Sequence, residues 1–267
     1  MSSERRADIA FGIGLGIGIL FIVITGPLDR RLELVHENDF SGFWAGARAL
    51  VIGADPYDGA HWRDTVGALG TQEPNTAVYG YVPWVAVALV PLALLPLETA
   101  AWIWMIAGIA LAAIALRALL RAAVPGQQLL HGAFGLALLV SQPGFHAVVL
   151  GQWSFVLLAA LCGSVLALRS GRDATAGALA ASFLAKPQLF VWTSLGLLVN
   201  ARDRRRLVTS GVLVAGAIVA VSWMVLPGWW AAWTSDVAPS VWGAPPRSPS
   251  RCAICCRHPS DSRLRSR

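Results

Sequence analysis

Apolar residues run along this chain in seven long blocks, divided by short arginine-rich marks and by one long polar stretch. The first block, residues 9–28, carries no charge, and as a helix it reaches about 30 Å, the thickness of a bilayer's hydrocarbon core. It is too long for the apolar region of a signal peptide, and no Ala-x-Ala site follows it. Gly12, Gly14, Gly16 and Gly18 form two small-xxx-small pairs within it, which predicts a face that packs closely on another helix.

Residues 29–79 form the long polar stretch and hold eight of the fifteen acidic residues against four arginines. Turn signals at Gly53-Ala54-Asp55-Pro56 and Glu73-Pro74-Asn75 predict irregular chain with short helices. A connection this long in a compact protein commonly carries function. Blocks 81–96, 99–116, 129–148, 153–168, 176–200 and 207–226 follow, punctuated by Arg117 and Arg121, by Arg169 and Arg172, and by Arg202, Arg204, Arg205 and Arg206. With Arg5 and Arg6 ahead of the first block, the positive-inside rule predicts a multi-pass protein of the cell membrane. Its N-terminus is then cytoplasmic and its first long loop lies on the outer face.

That assignment demands an odd number of crossings between the outer loop and Arg169, yet four blocks lie between them. Block 81–96 contains Pro83, Pro91 and Pro96 and is expected to be a re-entrant or interfacial hairpin. Block 176–200 has arginines on both sides and is expected to cross an even number of times. Lys186-Pro187 near its middle predicts two short helices with Lys186 at the outward tip.

Composition agrees with the pattern. Of 267 residues, 56% are hydrophobic and only 13% charged, with a mean hydropathy of +0.59. Soluble domains carry about 25% charged residues, so a water-soluble enzyme, a disordered chain and a disulfide-rich module are all excluded. The expected fold is an all-α polytopic membrane protein whose first partner is the lipid bilayer. The net charge of +6 comes from arginines that flank apolar segments, which argues against nucleic-acid binding. No metal or cofactor is expected, because no paired Cys and His ligands and no glycine-rich phosphate loop occur before residue 243.

The chemistry-bearing residues are few. In the run Asn38-Asp39-Phe40-Ser41-Gly42-Phe43-Trp44 a carboxylate stands beside aromatics just after the first block; it suits a general base or a helix cap. Lys186 is the single lysine and lies inside an apolar block, where a cation marks a functional site unless it snorkels to the interface. His146 and Gln152 lie at the outer end of block 129–148 and in the turn after it. A lone histidine there serves either a hydrogen-bonded interface or a catalytic role.

Asp39-Phe40, then Trp44-Ala45-Gly46-Ala47-Arg48-Ala49-Leu50 and Gly53-Ala54-Asp55-Pro56-Tyr57-Asp58, resemble the first outer loop of glycosyltransferase family 87. Those are polyprenyl-phosphate-mannose-dependent alpha-mannosyltransferases of the GT-C superfamily. Similar stretches follow in order: Tyr81-Val82-Pro83-Trp84 with Pro91-Leu92-Ala93-Leu94-Leu95-Pro96, Gly151-Gln152-Trp153-Ser154-Phe155, Ala176-Gly177-Ala178-Leu179 leading to Lys186-Pro187, and the basic residues 202–206. The resemblance implies a GT-C-like helical bundle that moves a hexose from a polyprenyl-phosphate donor to a glycolipid or glycan acceptor, with inversion. It implies Asp39 as the base, and a substrate-binding set of Lys186, His146, Gln152, Tyr81 and Arg48. Two departures are visible: the family's Tyr-Pro-Pro reads Tyr81-Val82-Pro83, and Gln142 stands where an acid often precedes the proline.

Two other classes remain open at this point. A transporter would use the broken segment at Lys186 as its substrate site, and a membrane scaffold would use residues 29–79 as a docking surface. The character of the chain changes after Gly243: residues 244–267 carry six arginines and one acid. The expectation is a membrane domain over 1–243, with 29–79 as its outer catalytic loop, and a frameshifted or disordered tail on a truncated gene. Cys252, Cys255, Cys256 and His258 in that tail resemble zinc ligands but lack a second pair at the usual spacing.

Overall fold

A computed structural model describes residues 2–26, 29–30, 33–71 and 78–237. The tail after Gly243 and the Glu73-Pro74-Asn75 turn lie outside the described residues. Helix α1 is Ser3–Ile24, and it starts earlier than its apolar block because the Ser2 side chain caps it, accepting from the Arg5 N–H at 3.3 Å. In the polar stretch α2 is Asp39–Val51 and α3 is Gly59–Ala68. Next come α4 (Pro83–Ala93) and α5 (Leu97–Ala123). Block 129–148 becomes α6 (Gln128–Val140) and α7 (Gln142–Leu150), bent by 41° where Ser141 caps α7. Helix α8 is Ser154–Arg169. Block 176–200 is broken as the sequence predicts: α9 (Asp173–Ala180) runs into a 3-10 turn, Ala181–Ala185, and α10 (Pro187–Asn200) begins after Lys186. Helices α11 (Arg204–Val225) and α12 (Trp229–Ala232) follow, and a π-helical turn, Trp233–Val237, ends the described chain.

The protein is an all-α polytopic membrane protein. Among the described residues, helices α1, α5 and α11 are each long and apolar enough to cross a bilayer, and the bent pair α6–α7 has the length and apolarity of either a broken span or a re-entrant loop. Their outer surfaces are apolar: Ile13, Ile17 and Leu20 on α1, and Val212, Leu213 and Met224 on α11, are all exposed. Such a surface suits lipid and not water.

Charged contacts sort the helix ends into two groups. Asp8 on α1 accepts from Arg117 Nε at 3.0 Å and from Arg121, both on the last turns of α5. Arg169 at the end of α8 donates to the Ala122 carbonyl at 2.7 Å, and the Arg202 N–H donates to buried Asp173 at 3.0 Å. One end of the bundle therefore collects the arginine marks. At the other end the chain between α1 and α5 starts and finishes on the same side: His36 pairs with Glu98 at 3.4 Å, and the Trp44 indole donates to the Leu95 carbonyl at 3.1 Å. Helix α4, about 16 Å long at 1.5 Å per residue, is too short to cross and packs on α2.

Helix contacts in lipid depend on close approach, because lipid tails are as apolar as leucine. Helices α1 and α6 meet through glycine: a Cβ on Gly14 would lie 2.1 Å from the Gly132 carbonyl oxygen, and one on Gly18 3.3 Å from Leu139 Cβ. The alternate pair, Gly12 and Gly16, has nothing within 4 Å. Helices α9 and α11 use the same device, with a Cβ on Gly177 falling 2.0 Å from the Leu207 oxygen.

A second close approach sets the floor of the polar end. Gly46 on α2 lies under the Tyr79 ring, and a Cβ there would be 2.3 Å from Tyr79 Cε2. Tyr79 is fully buried and meets Tyr57, Trp62 and Tyr81 edge-on, with ring centroids 5.8, 5.7 and 5.5 Å away.

Two outcomes follow from this packing. Gly14→Leu should lower stability by about 1–3 kcal/mol through overpacking, whereas Gly16→Leu should be neutral; thermal midpoints in detergent read the difference. Gly46→Ala should expel the Tyr79 ring and disturb the tyrosine cluster, seen as altered near-ultraviolet circular dichroism with the helical far-ultraviolet signal retained.

Candidate functional site

The site forms at the end opposite the arginines. Asn38, not Asp39, caps α2: its side chain accepts from the Ser41 N–H at 3.0 Å and donates to the Val149 carbonyl at 3.4 Å. The half-buried Asp39 carboxylate, released from capping, turns to other partners. Gln152 Nε2 donates to Asp39 Oδ2 at 2.9 Å, and Tyr81 Oη stands 3.5 Å from Asp39 Oδ1. Lys186 Nζ donates to Gln152 Oε1 at 3.3 Å, and Ser154 Oγ reaches the same oxygen at 3.3 Å. Four residues singled out from the sequence, Asp39, Tyr81, Gln152 and Lys186, thus converge from four separate segments of the chain.

Local chemistry explains each position. Gly53 at φ +78° turns the chain after α2, and Asp55 Oδ1 then accepts the Tyr57 N–H at 2.8 Å. That turn aims the Tyr57 hydroxyl at the Tyr81 carbonyl, and the Tyr79 N–H donates to the Pro56 carbonyl at 2.8 Å. The Gly53–Asp58 run therefore acts by holding Tyr81 beside Asp39. Gly151, at φ +68°, is the left-handed cap of α7, and its carbonyl accepts the Trp104 indole N–H at 2.9 Å. Gln152 leaves that cap directly. Lys186 stands where the 3-10 turn ends and α10 begins.

Aromatic rings enclose this cluster. Phe43 meets Tyr81 at 4.4 Å and Trp153 at 6.3 Å, and Trp104 meets Trp153 at 4.8 Å. Trp229, late in the chain, packs on Tyr57 and Trp84. Sequence reasoning did not place Ser154, Tyr57 or Trp229 at the site. Ser154 was visible as the second residue after Gln152, but nothing local signals that Trp229 returns to α4.

His146 is exposed, with Nδ1 2.9 Å from the Gln142 carbonyl. It shares a cavity of about 330 Å³ with Gln142, Pro143, Gln152 and Ser154, so it stands at the mouth of the site. Arg48 is not brought to Asp39. Its guanidinium donates to the Ala93 carbonyl at 3.1 Å and clamps the C-terminal end of α4. Among the described residues no group of three or more His, Cys, Asp or Glu is placed to hold a metal ion. A larger cavity of about 730 Å³ lies between α8 and α10, away from this cluster.

The geometry offers a carboxylate, a nearby cation, a bridging amide and aromatic walls at one end of a membrane bundle. The model of glycosyltransferase family 87 matches residues 79–251, which include Tyr81, His146, Gln152 and Lys186 but not Asp39 or Arg48. No curated protein and no solved structure matches the chain. The matched segment spans well over half of the sequence, and the chain belongs to glycosyltransferase family 87.

Proposed function

We propose that this membrane glycosyltransferase takes a hexose, mannose by the family resemblance, from a polyprenyl-phosphate donor at the outer face of the cell membrane. It transfers the sugar to a glycolipid or glycan acceptor. The observation that carries the reading is the convergence of Asp39 and Lys186 on Gln152, 2.9 and 3.3 Å away, at the end of the bundle opposite the arginines. The arginine end corresponds to the cytoplasm under the positive-inside rule, which makes the Asp39 end the outer one. Family membership favours transfer over transport.

The chemistry is a single inverting displacement. Asp39 takes the proton from the acceptor hydroxyl as that oxygen attacks the anomeric carbon. The bond from the anomeric carbon to the phosphate oxygen breaks, and its electron pair leaves with the polyprenyl phosphate. Lys186 sits where it stabilises the negative charge gathering on that phosphate, and His146 at the cavity mouth is a second group for the same anion. Tyr81 and Gln152 hold Asp39 in place for the acceptor, and Arg48 serves the site through α4 and not by contact with substrate. Trp104 and Trp153, both only half-buried, supply the apolar surface on which a pyranose ring lies.

Asp39→Asn should cut transfer of labelled mannose from polyprenyl-phosphate-mannose by about 10²–10⁴, the usual loss for a general base, with expression and donor binding retained. Turnover near the wild-type level in that variant would remove Asp39 from the role of base. Lys186→Ala should raise the apparent KM for the donor more than that for the acceptor. Donor-concentration kinetics check this, and an unchanged donor KM would sink the phosphate assignment.

A further inference from the structure

We infer that Gln152 is a positioning residue whose side-chain amide keeps Asp39 and Lys186 apart as two working groups, where direct contact would close them into an ion pair. The inference rests on the transferase reading for what those two groups do, and on geometry alone for how they are held.

The orientation of the amide follows from its partners. An ionised carboxylate only accepts hydrogen bonds and an ammonium only donates them. Gln152 satisfies both in one way: Nε2 towards Asp39 at 2.9 Å and Oε1 towards Lys186 at 3.3 Å. Ser154 Oγ donates to that same Oε1 at 3.3 Å and steadies the amide from its own strand of chain. The backbone below is pinned separately, by the Trp104 indole on the Gly151 carbonyl at 2.9 Å and by Asn38 on the Val149 carbonyl at 3.4 Å. The backbone that carries Gln152 is therefore fixed by α2, α5 and α7, while Asp39, Lys186 and Ser154 set the orientation of the amide itself.

Its residue type matters. A carboxylate in direct contact with a cation is held in its charged form and becomes a poorer proton acceptor. An ammonium already paired has less charge to offer an incoming phosphate. With a neutral amide between them, Asp39 keeps Oδ1 for another partner: Tyr81 Oη, at 3.5 Å, is at the outer limit of a hydrogen bond. Lys186 likewise has no carboxylate within ion-pair distance among the described residues. A glutamate at position 152 would bind Lys186 and repel Asp39, and a leucine would leave both charges unmet.

The test uses the full chain in detergent with polyprenyl-phosphate-mannose as donor. Gln152→Leu should lower kcat about tenfold to hundredfold, the scale expected when a reacting group is misplaced by about an ångström, with donor KM changed only a few-fold. A purely structural role would reduce the amount of folded protein without splitting kcat from KM. Gln152→Glu keeps the size of the side chain and should lower kcat likewise, which covers the case in which the leucine variant does not fold. A second measurement needs no turnover: thermal midpoints of Asp39→Asn, Lys186→Met and the double variant. Their effects should be non-additive with Gln152 present and additive in the Gln152→Leu background. Wild-type kcat in Gln152→Leu, with Asp39→Asn inactive, would overturn the positioning role and leave the base standing. Should Asp39→Asn remain active, the base assignment fails by itself, and the midpoints then decide: additive effects with Gln152 present overturn the inference.

Discussion

Asp8 held by both Arg117 and Arg121 fixes the direction of everything that follows it in the chain. Charges are expensive within hydrocarbon, so an acid at the start of one spanning helix and two arginines at the end of another bring those ends together. Helices α1 and α5 are thereby antiparallel, and the chain between them must begin and end at the same end of the bundle. Helix α4 has no membrane to cross under that condition, and its proline-rich sequence is free to serve as a short packed element. The later arginine marks repeat the rule. Arg169 reaches the carbonyl of Ala122, and Arg202 follows the end of α10, so each excursion from the arginine end returns to it.

Much of this was legible in the sequence because bilayer physics leaves few choices. The arginine marks and the Lys186-Pro187 break correspond to observed helix ends, while block 129–148 divides at Ser141 into two helices that its apolar pattern did not separate. Helix phase was less legible. Gly12 with Gly16 and Gly14 with Gly18 have identical spacing, and only the position of α6 decides that the second pair is covered. The partner glycines, Gly132 and Gly135, lie in a block whose apolar pattern runs almost all round, so periodicity could not choose its buried face. Asp8 itself gave little signal, since one acid just before an apolar block reads as an ordinary polar flank.

At the site, the sequence identified residue types and the fold decided which of them meet. Asn38 and Asp39 are both good cap formers, and their order along the chain does not say which one caps. The structure gives the cap to Asn38 because its amide also reaches the Val149 carbonyl. Arg48 illustrates the reverse, a placement that simple arithmetic anticipates. It follows Asp39 by nine residues on one helix, about two and a half turns, and so projects from the opposite face. Phe43, about one turn after Asp39, lies on the same face and packs on Tyr81. Tyr57 and Trp229 were beyond local reasoning, since their roles arise from contacts across long stretches of chain.

The two ends of the bundle treat a carboxylate in opposite ways, and the contrast separates structure from chemistry. Asp8 is met directly by two guanidinium groups, which hold its charge and make it a lock between helices. Asp39 has the Lys186 ammonium one amide away, a neutral donor on one oxygen and a distant hydroxyl near the other. Neutral partners orient a carboxylate without setting an opposite charge against it. Both carboxylates therefore answer the same cost of burying charge at a membrane boundary. Asp8 answers it with opposite charge, and Asp39 with hydrogen bonds to neutral groups.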